Sequence, residues 1–383
     1  MNANLKTGPG LYFHIPFCQR RCRYCAFVSN VRRPLPEAAY AAALLREMET
    51  RADDFVAVPL ASIYFGGGTP SLLAPATIGR LIEAARSRFR VRHHVEITLE
   101  ANPESLDLAK LKQLRRAGIN RLSLGVQTFS DRQLQRLGRI HTAGQALTAG
   151  RQARKAGFEN LSLDLIFALP GQSLAELEAD LEQALALEPD HLSVYELTWE
   201  KGTELDRLRR EGKLTPMDED PAAEMFLLVG EKLAAAGLRR YEVSNFARPG
   251  CECRHNLSGW QLKPYLGLGA AGHSLLPSGE RQANAADLKT YLAQVKKAGK
   301  AIVATEPPDR ERARREFILL GIRTATGISR RDYRAQFGRD LWQEKAEAIR
   351  SLTQMKITRK SSQRLYLTPK GFLLADAAAL ELI

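Results

Sequence analysis

The chain reads as an α/β protein, a partial (β/α)6 TIM-like barrel followed by a helical, winged-helix-like C-terminal domain. Three observations predict this. Short strand-like segments recur at about 11–15, 62–66, 95–100, 121–126, 161–167 and 191–196. Helical periodicity fills the gaps near 36–53, 75–90, 105–117, 142–156 and 173–187. Past about residue 300, Pro307-Pro308 marks a junction and the pattern turns mostly helical. Strand–helix alternation builds parallel strands joined by right-handed crossovers. Six such units suit an incomplete barrel better than the full eight.

The strands share a parity. Alternate residues of a strand face opposite sides. Phe13 and Ile15 oppose Tyr12 and His14; Val95, Ile97 and Leu99 oppose Glu96, Thr98 and Glu100. Leu122, Leu124 and Val126 oppose Ser123, Gly125 and Gln127. Leu161, Leu163, Leu165 and Phe167 oppose Ser162 and Asp164, and Leu192 and Val194 oppose Ser193 and Tyr195. The apolar faces need cover from the crossover helices, of which Ala149, Ala153, Ala156 and the stop at Gly157 are typical. The polar faces then line the lumen, where a closed barrel would carry branched apolar side chains. Such a lumen is built for a polar ligand. Glu100 and Asp164 are costly there without a partner; a bound cation, a ribose, or an ion pair with Arg121 or Arg139 would each supply one.

Barrel chemistry sits at the C-terminal ends of the strands. After the first strand comes Cys18-Gln19-Arg20-Arg21-Cys22-Arg23-Tyr24-Cys25, a C-x3-C-x2-C spacing. Three thiols this close suit one compact metal centre, and thiolate is the ligand of iron–sulfur clusters. Three thiolates on a four-iron cubane leave one iron free for a small molecule. Zinc is the alternative, but it favours four ligands in paired knuckles, and no second knuckle follows at that spacing. Gly66-Gly67-Gly68-Thr69-Pro70 follows the second strand, where glycine lets backbone approach a ligand closely. Glu100 ends the third strand and Gln127 the fourth.

Composition sets bounds. A length of 383 residues suggests two or three domains, and 44% hydrophobic residues support a sizeable core. The five cysteines, clustered and odd in number, point to a reducing compartment rather than a disulfide framework. Met1-Asn2-Ala3-Asn4-Leu5-Lys6 has no apolar core of a signal peptide, and no apolar run is long enough to span a membrane. A cytoplasmic location is expected. The net charge of +13 permits anionic ligands or peripheral contact with a membrane surface. Most arginines lie among Glu and Asp on helices, as in Arg310-Glu311-Arg312-Ala313-Arg314-Arg315-Glu316, which reads as a solvated face. No alternation of aromatic and basic residues suggests nucleic-acid stacking.

Taken together, Tyr12-x-His14-Ile15-Pro16-Phe17-Cys18 with the three cysteines, Gly66-Gly67-Gly68-Thr69-Pro70, Glu100-Ala101-Asn102-Pro103, Leu124-Gly125-Val126-Gln127 and Asp164-Leu165-Ile166-x-x-Leu169-Pro170-Gly171 resemble the oxygen-independent coproporphyrinogen III oxidase-like family of radical S-adenosylmethionine (SAM) proteins. The resemblance implies a 4Fe–4S cluster on Cys18, Cys22 and Cys25. It implies SAM contacts from Tyr12, Tyr24, Gly67, Gly68, Thr69, Glu100, Gln127, Arg139 and Asp164. It also implies an electron donor for the cluster. Domain expectations follow: a radical SAM barrel over 1–215, a family-specific extension over 216–303 and the helical module over 304–383.

Within that family the chain resembles the haem-chaperone branch. The oxidases carry a fourth cysteine two positions after the third, and here that place is Phe27. Cys18 also lies early, with little of the oxidases' extension before it. Leu137-Gly138-Arg139-x-His141 and Tyr241-Glu242-Val243-Ser244-Asn245-Phe246-Ala247-Arg248-Pro249-Gly250 look like the chaperone branch. So does the run His255-Asn256-Leu257-Ser258-Gly259-Trp260, which stands where that branch has H-N-x-x-Y-W, with Gly259 replacing the tyrosine. The branch implies haem on His255, Asn256 and Trp260 and a haem-acceptor protein as partner. An imidazole is a natural axial ligand, and Trp260 could flank a flat macrocycle. Other readings stand beside it. His255 can be a capping residue of a surface loop. Cys251, Cys253 and His255 fall on one face of an extended segment and could bind a second metal. His273, in a glycine-rich run, reads as structural, and His93 and His94 as solvated. The alternative function is a radical enzyme on a tetrapyrrole, in which a 5′-deoxyadenosyl radical abstracts hydrogen from a side chain.

Overall fold

A computed structural model describes residues 7–31, 34–55 and 59–383. The segment Met1–Lys6, on which the signal-peptide expectation falls, lies outside the described residues. Six parallel strands form the centre: β1 (Gly10–Ile15), β2 (Leu60–Gly67), β3 (Val91–Ala101), β4 (Arg121–Gln127), β5 (Asn160–Phe167) and β6 (His191–Glu196). They pair in chain order, parallel throughout. The crossovers are α1 (Glu37–Arg51), α2 (Pro75–Arg88), α3 (Leu108–Arg116), α4 (Asp131–Leu137), α5 (Ala143–Lys155) and α6 (Leu174–Leu185). Each expected strand and helix is present. Within the six units the helix missed in sequence is α4, although Ser130 caps its first turn by accepting from Gln133 N, and Gly138 stops it in the left-handed region at φ 75°.

Strand parity sorts the side chains as expected. Phe13, Ile63, Ile97, Leu122, Leu163 and Leu192 are fully buried in one core with Leu44 of α1, Leu81 of α2 and Leu181 of α6. The opposite face carries Thr98, Ser123, Ser162 and Ser193, all buried, beside Glu100 and Asp164. Polar groups line the lumen and apolar groups meet the helices.

The chain does not stop at six units. After α7 (Glu204–Arg210) and α8 (Glu219–Ala235) come the short strands β7 (Arg239–Arg240) and β8 (Asn245–Ala247); β8 pairs antiparallel with β6, and β7 antiparallel with β8. Helix α9 (Arg254–Trp260) leads to β9 (Tyr265–Leu268), which returns to the other edge and pairs parallel with β1, Gly10 beside Tyr265. β10 (His273–Leu275), β11 (Arg281–Asn284) and β12 (Ile302–Glu306) extend that edge, with α10 (Leu288–Ala298) inserted before β12. The sheet runs β12-β11-β10-β9-β1-β2-β3-β4-β5-β6-β8-β7, with β12 and β7 at its edges. The C-terminal module has a separate core. There α11 (Arg310–Ile322) and the helices after it pack on a sheet of three short strands, β13 (Ile328–Ser329), β14 (Thr358–Lys360) and β15 (Arg364–Leu367). Its arginines pair as the solvated-face reading expects, Arg312 with Glu306 and Arg314 with Glu311.

A buried carboxylate fixes the β9–β11 extension to the barrel. Glu47 of α1 accepts from Gly269 N at 2.9 Å, Tyr291 Oη at 2.7 Å and Asn284 Nδ2 at 2.6 Å. Arg51, one turn on, lies 3.6 Å from Glu47 and donates to Gly267 O, Ser274 Oγ and Gln282 Oε1. Both side chains are almost wholly buried. Removing one partner leaves an uncompensated buried charge, at a cost of about 3–5 kcal/mol. Glu47→Ala should therefore lower the unfolding free energy by about that amount, read by guanidinium denaturation. A midpoint equal to that of the unaltered protein would show that the extension does not depend on this clamp.

Candidate functional site

The cysteine loop leaves β1 through Pro16 and is pinned on several sides. Gly68 N donates to Ile15 O and Thr69 N to Phe17 O, at 2.8 and 2.7 Å. Arg23 N donates to Leu137 O at 2.9 Å, which ties the loop to the end of α4. Close approach explains the glycines. A Cβ on Gly68 would stand 2.7 Å from Phe17 O and 3.0 Å from Cys18 Sγ. Gly67 has φ 111°, and a Cβ there would meet the His14 ring at 2.7 Å.

Cys18 receives a weak bond from Thr69 Oγ1 at 3.7 Å, and Cys22 lies 3.4 Å from Arg139 Nη1. Tyr24 hydrogen-bonds to Cys22. Burial pushes the Cys18 and Cys25 thiols up. Among the described residues no three His, Cys, Asp or Glu side chains converge on one metal ion. A cubane does not need that, because each thiolate binds its own iron. The Cys251–Cys253–His255 reading fares differently. That stretch is not one extended segment: Cys253 precedes α9 and faces Glu96, His255 lies within the helix, and Cys251 packs with Tyr241, Ala247 and Leu257.

The lumen presents the other expected residues together. Glu100 accepts from Tyr64 Oη at 2.8 Å and Gly67 N at 3.1 Å. Burial, with Asp164 adding, pushes its carboxyl up to about 7 despite those bonds. Asp164 accepts from Ser123 Oγ at 3.1 Å, and burial raises it too, against hydrogen bonds from Ser193 and Ser123 and the charge of Arg121. Neither carboxylate has a direct ion pair among the described residues; Arg121 acts on both through space. Arg139 points elsewhere. It donates to Asn102 Oδ1 at 2.7 Å and Gly125 O at 2.8 Å, and its Nε is buried without a partner. Gln127 ends β4 at φ 71°, unusual for glutamine, beside the bulge at Gly125. A Cβ on Gly125 would lie 3.1 Å from Gln127 Nε2 and 3.6 Å from Arg139 Nη2.

Deeper in the lumen, Glu96 accepts from Arg254 N at 3.0 Å and His255 N at 3.3 Å. This carboxylate at the start of α9 complements the helix dipole and sets His255 over the sheet. The His255 ring stacks on Tyr64 at 4.7 Å and Tyr12 at 5.8 Å, with Nδ1 3.2 Å from Ser62 Oγ. Burial and then Arg121 lower its pKa to about 4, so the imidazole is neutral at neutral pH. His255 and Asn256 line a cavity of about 820 Å³ that also takes in Tyr12, His14, Gly259 and His273. Trp260 is not among its lining residues, so the expected flanking role is not seen. A Cβ on Gly259 would meet nothing within 4 Å.

Profiles and relatives agree with this geometry. The radical SAM superfamily matches residues 12–184, and the HemN C-terminal domain matches residues 309–374. The chain is 36% identical over 366 residues to the heme chaperone HemW of Bacillus subtilis, covering 95% of this chain and 96% of the relative. To HemW of Escherichia coli K12 it is 39% identical over 266 residues, 69% of each chain. The solved coproporphyrinogen III oxidase (HemN) of Escherichia coli superposes with a TM-score of 0.84 at 25% identity, covering 98% of this chain and 90% of that one. The chain belongs to the HemW family of radical SAM proteins.

Membership brings a 4Fe–4S cluster and SAM as cofactors, and the zinc reading of the cysteine loop falls. The residues fit both groups: three unbridged thiols on one pinned loop, glycines that a Cβ would crowd, and an Arg139 Nε still lacking an acceptor. Sequence reasoning missed Tyr64, Asn102 and Ser62. Parity applied to the second strand would have placed Ser62, Tyr64 and Gly66 on the lumen face. Asn102 lay inside a quoted motif, and it bridges Thr69 Oγ1 at 3.0 Å to Arg139. His93 and His94 are exposed, as expected. His273 is exposed and lines the cavity, where a structural role had been expected.

Glu100 provides a pH test. Its folded pKa of about 7 lies above the ordinary 4.5, so the folded state holds an extra proton between those values. Stability therefore falls as pH rises across that window. The loss above it is at most about 3 kcal/mol, at about 1.36 kcal/mol per unit. Ligand-free Glu100→Gln should melt above the unaltered protein at pH 8, and the gap should narrow towards pH 5. A gap that does not change with pH would remove the buried-carboxylate account.

Proposed function

We propose that this protein is a haem chaperone: it binds haem beside a SAM-loaded cluster site and passes it to an acceptor protein. In this reading Cys18, Cys22 and Cys25 hold the 4Fe–4S cluster. Gly67, Gly68 and Thr69 offer backbone and hydroxyl groups to SAM, with Tyr12, Tyr24 and Gln127 around it. Glu100 and Asp164 accept from its hydroxyl or ammonium groups, and Arg139 faces its carboxylate. The bound cluster and SAM supply one-electron chemistry, with the electron coming from a separate donor. The protein's own residues hold SAM in the lumen and keep water from it. The domain limits 1–215, 216–303 and 304–383 belong to the same reading.

One observation carries the haem assignment. The cavity over β1 and α9 joins two exposed apolar side chains, Phe27 at 69% and Val28 at 39%, to a neutral histidine, Lys263 and the Arg281–Glu316 ion pair. A volume of about 820 Å³ falls in the range of small-molecule sites. Apolar walls with an imidazole and Lys263 at the rim match a flat metallated macrocycle with carboxylate arms. The relatives named heme chaperone HemW support this assignment. Gly259 leaves open space in the cavity and obstructs nothing.

Free cysteines throughout support a reducing, cytoplasmic setting. Among the described residues no helix is long and apolar enough to cross a membrane. One feature favours radical chemistry on a tetrapyrrole as a second reading: Tyr12 and His14 belong both to the lumen face of β1 and to the cavity wall, so the two ligands would be neighbours.

Haem titration of the anaerobically reconstituted protein should give a saturable one-to-one Soret change. Extra Soret absorbance that rises linearly with haem, without saturation, would end the carrier reading. Cys22→Ser should lose most of the iron and sulfide, because two thiolates do not hold the cubane; full retention after reconstitution would contradict the ligand set.

A further inference from the structure

We propose that His273, on the strand that extends the sheet beyond β1, supplies an axial nitrogen to the haem iron. This rests on the haem reading above and adds a ligand outside the His255 motif.

Sheet register carries the argument. Gly10, Tyr12 and His14 alternate onto one face of β1. Tyr265 pairs with Gly10 across β9, and Leu275 of β10 pairs with Tyr265. His273 lies two residues from Leu275 and so shares that face. All six of these positions line the cavity. The lumen face thus continues past the first barrel strand onto the extension.

The His273 backbone is seated on a glycine. Tyr12 pairs with Gly267 on β9, and Gly267 lies against the His273 backbone so closely that a Cβ there would stand 1.9 Å from His273 O. Glycine at 267 thus lets the His273 backbone lie directly against β9, beside the strand that carries Tyr12. On its other face β10 is held firmly. Ser274 Oγ accepts from Arg51 and from Gly267 N at 3.2 and 3.0 Å, and Asn284 N donates to Gly272 O at 2.9 Å. A rigid strand therefore presents an exposed imidazole to the cavity, and among the described residues its ring has no hydrogen-bond or ion-pair partner.

The other cavity histidines are more constrained. His14 has both nitrogens engaged, Nδ1 with Tyr12 Oη at 3.2 Å and Nε2 with Val28 O at 3.4 Å. His255 has Nδ1 engaged with Ser62 and its ring stacked against both Tyr64 and Tyr12. Among the described residues His255 keeps Nε2 without a hydrogen bond, and His273 keeps both ring nitrogens so. Arg281 pairs with Leu275 across β10 and β11 and lines the same wall, where its guanidinium is bonded to Glu316 at 2.5 Å.

The test uses the full-length protein with its cluster reconstituted. Haem is titrated into the unaltered protein and into His273→Ala, His255→Ala and His273→Cys, with SAM binding and circular dichroism as folding controls. We expect His273→Ala to shift the Soret maximum and weaken haem by at least ~10-fold. His273→Cys should bind haem with a thiolate-type spectrum, which places residue 273 at the iron. An unshifted spectrum and unchanged affinity in His273→Ala, with haem still bound by the unaltered protein, overturn the ligand assignment alone. No saturable binding to the unaltered protein overturns the haem reading, and this proposal with it.

Discussion

Glu96 is a carboxylate on the lumen face of β3, almost fully buried, and it accepts from the first backbone N–H groups of α9. Much of the architecture depends on this interaction. A buried carboxylate is costly alone, and so is a helix start without acceptors. Each removes the other's cost, and Arg121, fully buried on the neighbouring strand, adds its charge to the pair. The consequence is positional. Helix α9 is set against the barrel at one register, and His255 stacks over Tyr64 and Tyr12 rather than facing solvent. Glu47 does the same on the outer side of the sheet, where it fixes Gly269 and Asn284 of the extension to α1. Two buried carboxylates, one on each side of the sheet, thus attach residues distant in sequence to a barrel that would otherwise end at β1.

The barrel was legible in the sequence because its signals are local. Alternation within a strand, spacing within a helix and the cysteine loop each need fewer than about twenty residues, and they located β1 to β6 and the lumen side chains. What was not legible is non-local. Nothing near Gly10 announces that Tyr265 will pair with it, since parallel pairing leaves no turn signal between the strands. Cys251 to His255 was expected as an extended segment because its helix is capped from outside, by Glu96, rather than by its own residues. His273 looked structural because its glycine-rich run is tightly packed, and that packing proves to involve the backbone and Ser274 while the imidazole stays outside. Arg139 was placed by motif, and its position follows from the left-handed stop at Gly138, with Arg139 N donating to Leu134 O at 2.9 Å.

The two ligand environments differ in kind, and the difference follows from sheet parity. In the lumen, β3, β4 and β5 present carboxylates and hydroxyls, and burial raises Glu100 and Asp164. Such groups gain from a ligand that brings donors or positive charge. Over β1 and β9 the wall is aromatic, with Phe27 and Val28 exposed above it. Exposed apolar side chains gain from a ligand that removes them from water, at roughly 25 cal/mol per Å². A single site could not satisfy both demands.

Tyr12 stands where the two environments meet. Its ring packs against both Tyr64, whose hydroxyl donates to Glu100, and His255, which lines the cavity. Its hydroxyl contacts His14 Nδ1, and the other nitrogen of that ring reaches Val28 O in the chain that follows the cysteines. A ligand pressing on Phe27 and Val28 therefore bears on the loop that holds Cys25. A change at the cluster bears on the cavity through the same few atoms. Coupling between sites requires a shared element that both ligands bias. The β1 face from Tyr12 to His14, with the loop it leads into, is the shortest such element, so in the proposed reading a ligand in the cavity and SAM in the lumen would meet through one strand and not through a long path across the core.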